Sequence, residues 1–228
     1  MKYDGAAIEK NIGYVFKDKS LLKQAMSHSS YVNEIKIKGH KSYERLEFLG
    51  DAVLELISSE YLYEHYEDMP EGKLTKLRAS IVCEYTLSSV SRQLGYGDFV
   101  MLSKGEELTG GRNRNSILCD LFESVLGAIY LDGGMEPAKH YVYTFLMTDI
   151  ESKQLFYDAK TILQEMVQKD GKGVVAYEIL EEKGPDHNKC FVTKVLVDGK
   201  QLATGEGSSK KNAEQMAAYQ AILQLKKQ

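Results

Sequence analysis

The sequence predicts a two-domain chain: an all-helical domain over residues 1–152, then a small α+β domain over residues 158–226 in the order helix, strand, strand, strand, helix. Three observations predict it. From Leu21 to Leu131 apolar residues recur at spacings of three and four, the period of a helix face. Gly and Pro fall between these runs rather than within them. Past Lys153 the pattern changes to short runs rich in β-branched and aromatic residues, which favour strands.

Breaks at residues 36–40, at Met69-Pro70-Glu71-Gly72, at Gly95-Tyr96-Gly97 and at Gly110-Gly111 divide the first part into five or six helices before Gly133-Gly134. Residues 74–94 suit one long helix or two short ones. Residues 153–157 are polar and uncapped, as a short linker is. Asp158 then caps a helix to residue 169. Strands follow at 174–181 and 190–197, and Asp198-Gly199 is a hairpin turn before a short third strand at 201–204. Ser208 or Ser209 caps a last helix running to Leu225.

Composition narrows the class. With 43% hydrophobic and 27% charged residues and only three prolines, the chain is neither disordered nor fibrous. Its longest apolar stretch, residues 116–131, is shorter than a membrane span and carries Asp120 and Glu123. The N-terminus lacks the apolar core of a secretory signal, and the three cysteines have no metal-like spacing, so a reducing cytoplasm is expected and no membrane partner. The net charge of −4 hides a split: residues 1–152 hold 17 basic and 23 acidic side chains, and the remainder 12 and 10. The basic part is the C-terminal one.

The acids of the helical part are the sharpest signal. Around residues 43–62, apolar side chains cover most of a helical wheel, so that helix is expected to be largely buried. One narrow arc interrupts them with Glu47, Asp51 and Glu55 at i, i+4 and i+8, and Glu44 beside them. A second apolar helix, residues 115–131, carries Asp120 and Glu123 at i, i+3 as its only charges. Like charges at these spacings repel, and burying them without partners costs more. Four carboxylates without Cys or His suit a hard cation, Mg²⁺ or Mn²⁺, rather than zinc. The alternatives are a solvated groove, or pairing with Arg45, Arg78, Arg112 or Arg114. His28, between two serines, reads as a cap or core residue.

The stretch Glu44-Arg45-Leu46-Glu47-Phe48-Leu49-Gly50-Asp51-Ala52 resembles the signature of the ribonuclease III family. The stretch from Leu118-Cys119-Asp120-Leu121-Phe122-Glu123 to Asp132-Gly133-Gly134 is similar to that family's second acidic motif. Pro70-Glu71-Gly72-Lys73-Leu74-Thr75-Lys76-Leu77-Arg78 resembles it too, and the likeness extends over essentially the whole chain. Cys119 departs from the small residue expected there. The resemblance implies that Glu47, Asp51, Asp120 and Glu123 hold metal, with Asp51 and Glu123 catalytic, and that Glu44 and Glu71 are secondary acids of the same cleft. It implies Mg²⁺-dependent cleavage of double-stranded RNA by a homodimer through the N-terminal domain, leaving 5′-phosphate and 3′-hydroxyl ends, in ribosomal and messenger RNA processing.

The C-terminal part resembles the double-stranded RNA-binding domain, which reads A-form shape across two minor grooves. Lys210 and Lys211 oppose the helix dipole in the first turn of the last helix; they are either two solvated side chains or the seat of a phosphate. By resemblance they grip phosphates, while Thr161, Gln164, Glu165 and His187 meet the minor grooves. Glu214 stands where many relatives of this domain have a third basic residue. A binding-only protein and a phosphohydrolase of small nucleotides are the rival readings. The intact acid set favours a nuclease over the first, and the basic C-terminal part argues against the second.

Overall fold

A computed structural model describes residues 3–36, 39–168, 173–184 and 189–226. The chain divides into two units, Met1–Ile150 and Glu151–Gln228. In the first, α1 (Gly5–Ile12), α2 (Lys19–Ala25) and α3 (Ser29–Ile35) precede the long α4 (Glu44–His65). Residues 74–94 form two helices, α5 (Glu71–Ile81) and α6 (Glu84–Gln93). Short helices α7 (Tyr96–Phe99) and α8 (Lys104–Leu108) and a 3-10 turn at Gly111–Asn113 lead into α9 (Asn115–Gly133) and α10 (Met135–Phe145). The helix count exceeds the expected five or six because several helices are one or two turns long, too short to display an apolar period.

Helix α9 is the centre of this unit. Ile117, Leu118, Leu121, Phe122, Val125, Leu126 and Ile129 are all buried, and α4 meets it with Leu46, Val53, Leu54 and Ile57. At their crossing the two backbones touch. A β-carbon on Gly50 would lie 1.8 Å from the carbonyl oxygen of Glu123, and one on Gly127 would lie 2.2 Å from that of Leu46. Only glycine admits such an approach.

One expectation is corrected. Helix α4 is not buried most of the way round: Phe48, Leu56 and Tyr63 are 80%, 56% and 76% exposed. The packing partners within the chain cover one side, and the wheel's remaining apolar arc faces outward.

The second unit begins with another correction. Residues 153–157 are not a linker but belong to a helix, α11 (Ile150–Tyr157), in which Leu155 packs on the second unit's core. Its helical spacing was masked by polar neighbours. Then come α12 (Ala159–Gln168), the strands β1 (Val175–Lys183), β2 (Cys190–Val197) and β3 (Lys200–Gly207), and α13 (Lys210–Leu225). The strands form an antiparallel sheet in the order β1-β2-β3. Strand β3 is longer than expected because Gly205 and Gly207, which read as breakers, lie within it. A β-carbon there would meet Ala217 N at 2.2 Å and Ala213 N at 2.5 Å, so the glycines let α13 lie directly on the strand. Ala159, Leu163, Val195, Ala203, Ala217, Ala218, Ala221 and Ile222 form the core between helices and sheet.

Two glycine substitutions should therefore have opposite signs. Gly50→Ala forces the α4 and α9 backbones apart and should destabilise by about 1–3 kcal/mol or more, the range for overpacking. Gly72→Ala, in the first turns of α5 with nothing within 4 Å of the new carbon, should stabilise by roughly 0.5–1 kcal/mol. Urea unfolding of both variants without divalent ions checks this; equal effects would dismiss the backbone-contact argument.

Candidate metal centre and nucleic-acid surface

The crossing at Gly50 and Gly127 carries the acids with it. Glu47 lies one turn before Gly50 on α4, and Glu123 is the residue whose carbonyl Gly50 touches. Oxygens of Glu47, Asp120 and Glu123 all lie within 4.8 Å of one another, and all three side chains are half-buried. Asp51, the next turn of α4, is exposed at the side of this trio. Its charge reaches both Glu47 and Glu123.

Crowding shows in the protonation of these groups. Burial, then the charges of Asp51, Asp120 and Glu47, hold the Glu123 carboxyl up to about 8. Burial, then Asp120, Glu44 and Asp51, hold Glu47 up to about 7. Asp120 is also raised by burial, though a hydrogen bond from Tyr43 opposes the rise. The Tyr43 hydroxyl donates to Asp120 Oδ2 at 2.8 Å. The Cys119 thiol, beside Asp120, is pushed far above its ordinary range by burial and then by Glu123.

Three of the four arginines that could have neutralised these acids pair with other carboxylates. Arg78 pairs with Glu55 at 2.8 Å and donates to Ser59, Arg112 pairs with Glu107, and Arg114 with Glu106. Glu55 thus leaves the acidic arc of α4. What remains is an oxygen-only, mutually repelling set that a divalent hard cation fits by charge and by ligand type.

The other expected site residues are placed as follows. Glu44 is exposed, accepts from Ser42 at 2.8 Å, and its charge reaches Glu47 and Asp120, so it flanks the trio. Glu71 does not join it. It accepts from Thr75 and lines a separate groove with Leu56, Tyr63, Leu74, Arg78 and Met135. Leu56 lies nine residues beyond Glu47 along α4, a rise of about 13 Å. That groove meets α4 about two turns beyond Glu47. His28 is a cap: its Nδ1 accepts from Ser30 N at 3.1 Å at the start of α3. Tyr43 was missed as a functional candidate, although an aromatic directly before an acidic helix was a visible signal.

On the second unit, Thr161, Gln164 and Glu165 are exposed on α12, at spacings that share a face. Ser209 caps α13, its hydroxyl accepting from Asn212 N at 3.2 Å. Lys210 and Lys211 follow, both exposed. Lys210 lies 3.3 Å from Glu182 and over the Phe191 ring. Glu214 is paired with Lys160, tying α13 to α12. His187 lies outside the described residues.

Comparison with known proteins agrees with this division. A family model described as Ribonuclease-III-like matches residues 18–150, and one described as a double-stranded RNA binding motif matches residues 159–225. The chain is similar to proteins named Ribonuclease 3 from Geobacillus sp. strain WCH70, 51% identical over 96% of this chain and 90% of the relative. It is 50% identical to one from Bacillus cereus strain G9842, over 96% and 91%. Among solved structures, the nuclease domain of the Campylobacter jejuni ribonuclease III, described with a flexible region involved in dimer formation, superposes with a TM-score of 0.59. It is 40% identical and covers 64% of this chain and 98% of that one.

The raised carboxyls predict a pH dependence with a definite sign. Their ordinary value is 4.5, against about 7 and about 8 in the fold. Between these limits the folded state holds more protons than the unfolded one, so stability falls as pH rises from about 5 to 8. A cation replaces those protons, so added Mg²⁺ should raise Tm more at pH 8 than at pH 6. Melting curves at both pH values, with chelator or with Mg²⁺, read this; a Mg²⁺ increment independent of pH would exclude the crowded acids as its source.

Proposed function

The chain belongs to the ribonuclease III family, and on that premise we propose that it is a Mg²⁺-dependent endoribonuclease that cleaves double-stranded RNA to 5′-phosphate and 3′-hydroxyl ends. The observation that carries this reading is the convergence of Glu47, Asp120 and Glu123 from two apolar helices without a cationic partner among them. A bound divalent ion supplies a water ionised near neutral pH and positive charge for the phosphodiester. Glu47, Asp120 and Glu123 would hold Mg²⁺, or Mn²⁺ in its place. Asp51, exposed beside them, would orient the attacking water, and Glu44 would add charge at the rim. The low polarity around the trio strengthens each of these interactions.

Capture of the duplex falls to the second unit. Lys210 and Lys211, at the capped start of α13, present charge and helix N–H groups to a phosphate. The face of Thr161, Gln164 and Glu165 on α12 offers hydrogen-bonding groups of the kind that contact ribose hydroxyls in a minor groove. His187 belongs to the same proposal by resemblance. The exposed stripe of Phe48, Leu56 and Tyr63 supports a homodimer through the first unit, because a large apolar face on a helix of this length demands cover. No helix among the described residues is long and apolar enough to cross a membrane. We place the activity in cytoplasmic processing of ribosomal and messenger RNA.

Glu123→Gln should abolish cleavage of duplex RNA while leaving its binding intact. Ca²⁺, with longer and looser coordination, should permit binding with little or no cutting. Ordinary turnover of Glu123→Gln at saturating Mg²⁺ would refute the assignment. Replacing both Lys210 and Lys211 by Ala should flatten the log–log salt dependence of binding by roughly one to two units, at about 0.9 per phosphate contact in B-form DNA. It should weaken all duplex sequences alike, while the maximal rate at saturating RNA and low salt stays near that of the unaltered protein. An unchanged salt slope would mean that the two lysines are only solvated.

A further inference from the structure

Asp120 differs from the other two members of the trio in being held by a neutral donor from outside it. Tyr43 precedes α4, and its backbone carbonyl accepts from Leu46 N and Glu47 N, so it starts the helix that carries Glu47. Its amide donates to Ser27 O at 2.9 Å, which anchors it to the end of α2. The side chain is 2% exposed, its ring edge-on to His28 at 5.5 Å. From that fixed mount the hydroxyl crosses to α9 and donates to Asp120 Oδ2.

We propose that Tyr43 is a positioning residue of the metal centre, its hydroxyl fixing the orientation in which Asp120 presents its carboxylate to the cation held with Glu47 and Glu123. The inference rests on the metal reading above. Its physical basis is that an aspartate side chain has two torsions, and three like-charged groups in contact turn away from one another unless something holds them. A hydroxyl has one hydrogen to give; donated to Oδ2, it engages one carboxylate oxygen and stops the rotation of the group. Because the same residue begins α4, the bond also ties the position of Asp120 to the helix of Glu47. Loss of a hydrogen-bond partner that orients a metal ligand typically costs about 10- to 100-fold in metal affinity or activity.

The test uses the full chain and Mn²⁺ as the probe, its binding measured without RNA by electron paramagnetic resonance of the free ion. Tyr43→Phe should weaken Mn²⁺ binding by about tenfold or more and raise the Mg²⁺ needed for half-maximal cleavage. The rate at saturating Mg²⁺ should largely recover. Duplex binding in Ca²⁺ should not change. To guard against a folding defect, p-methylphenylalanine at position 43 fills the hydroxyl's volume without a donor, and p-aminophenylalanine restores one. The methyl form should behave as Phe does and the amino form should regain affinity. A folded methyl or Phe variant with unaltered Mn²⁺ affinity overturns the proposal, as does equal loss in the methyl and amino forms. If the unaltered protein itself holds no Mn²⁺, the metal reading fails and this inference with it, a result distinct from either of the others.

Discussion

The backbone contact between α4 and α9 is the constraint on which the candidate site depends. Two helices whose facing side chains were leucines would pack 8–10 Å apart. With glycine on both sides of the crossing, carbonyl and Cα come into contact instead. The residues one turn away on each helix are then forced together, and those residues are Glu47 and Glu123. The surrounding apolar side chains, from Leu46 and Val53 on one helix to Phe122 and Leu126 on the other, supply the burial that holds the crossing closed against the repulsion of the acids. The fold thus maintains an electrostatically unfavourable cluster, as functional sites commonly do at the expense of stability elsewhere.

That cluster also explains why its oxygens are poised for a cation. Were the three carboxylates fully solvated, their charges would be screened and their affinity for an ion slight. Half-buried on apolar helices, Glu47 and Glu123 hold protons into the neutral range, and a divalent ion competes with those protons on favourable terms near pH 8. Arg78, Arg112 and Arg114 are drawn to Glu55, Glu107 and Glu106. An arginine among Glu47, Asp120 and Glu123 would have quenched the site.

How much of this was legible in the sequence follows from what each signal measures. Glu47, Asp120 and Glu123 stood out because charge on an otherwise apolar helix is costly, and their convergence needed only the expectation that two such helices pack together. Glu55 was indistinguishable from Glu47 and Asp51 by spacing; Arg78, 23 residues away, separates it. Glu71 belongs to the cleft by resemblance alone, and it is not among the three carboxylates that converge. Phe48 and Leu56 counted toward a buried wheel because a wheel counts apolar residues without knowing how many neighbours will cover them. Gly50 and Gly127 were quoted as part of motifs, yet nothing local distinguishes a glycine at a helix crossing from one that merely weakens a helix. In the second unit, strand β2 and the turn at Asp198-Gly199 were plain from composition, whereas Gly205 and Gly207 hid the length of β3 for the same reason.

An acidic cluster in an enzyme that acts on a polyanion raises a problem that the charge distribution resolves. Residues 1–152 carry more acidic than basic side chains, so without a cation their field opposes the approach of RNA phosphates. On the proposed reading affinity comes from the second unit, where Lys210, beside Glu182, and Lys211 are exposed at a helix N-terminus while Lys160 pairs with Glu214. A divalent ion at the trio would change the sign of the local potential where, on the proposed reading, the phosphodiester sits. It therefore acts as counterion to the substrate as well as to the protein, and its loss would cost the chemical step far more than capture. On that reading binding and catalysis would be separable, because the two units would meet the same polyanion with different charges: one with lysines that are always present, the other with acids that attract RNA only through an ion they hold.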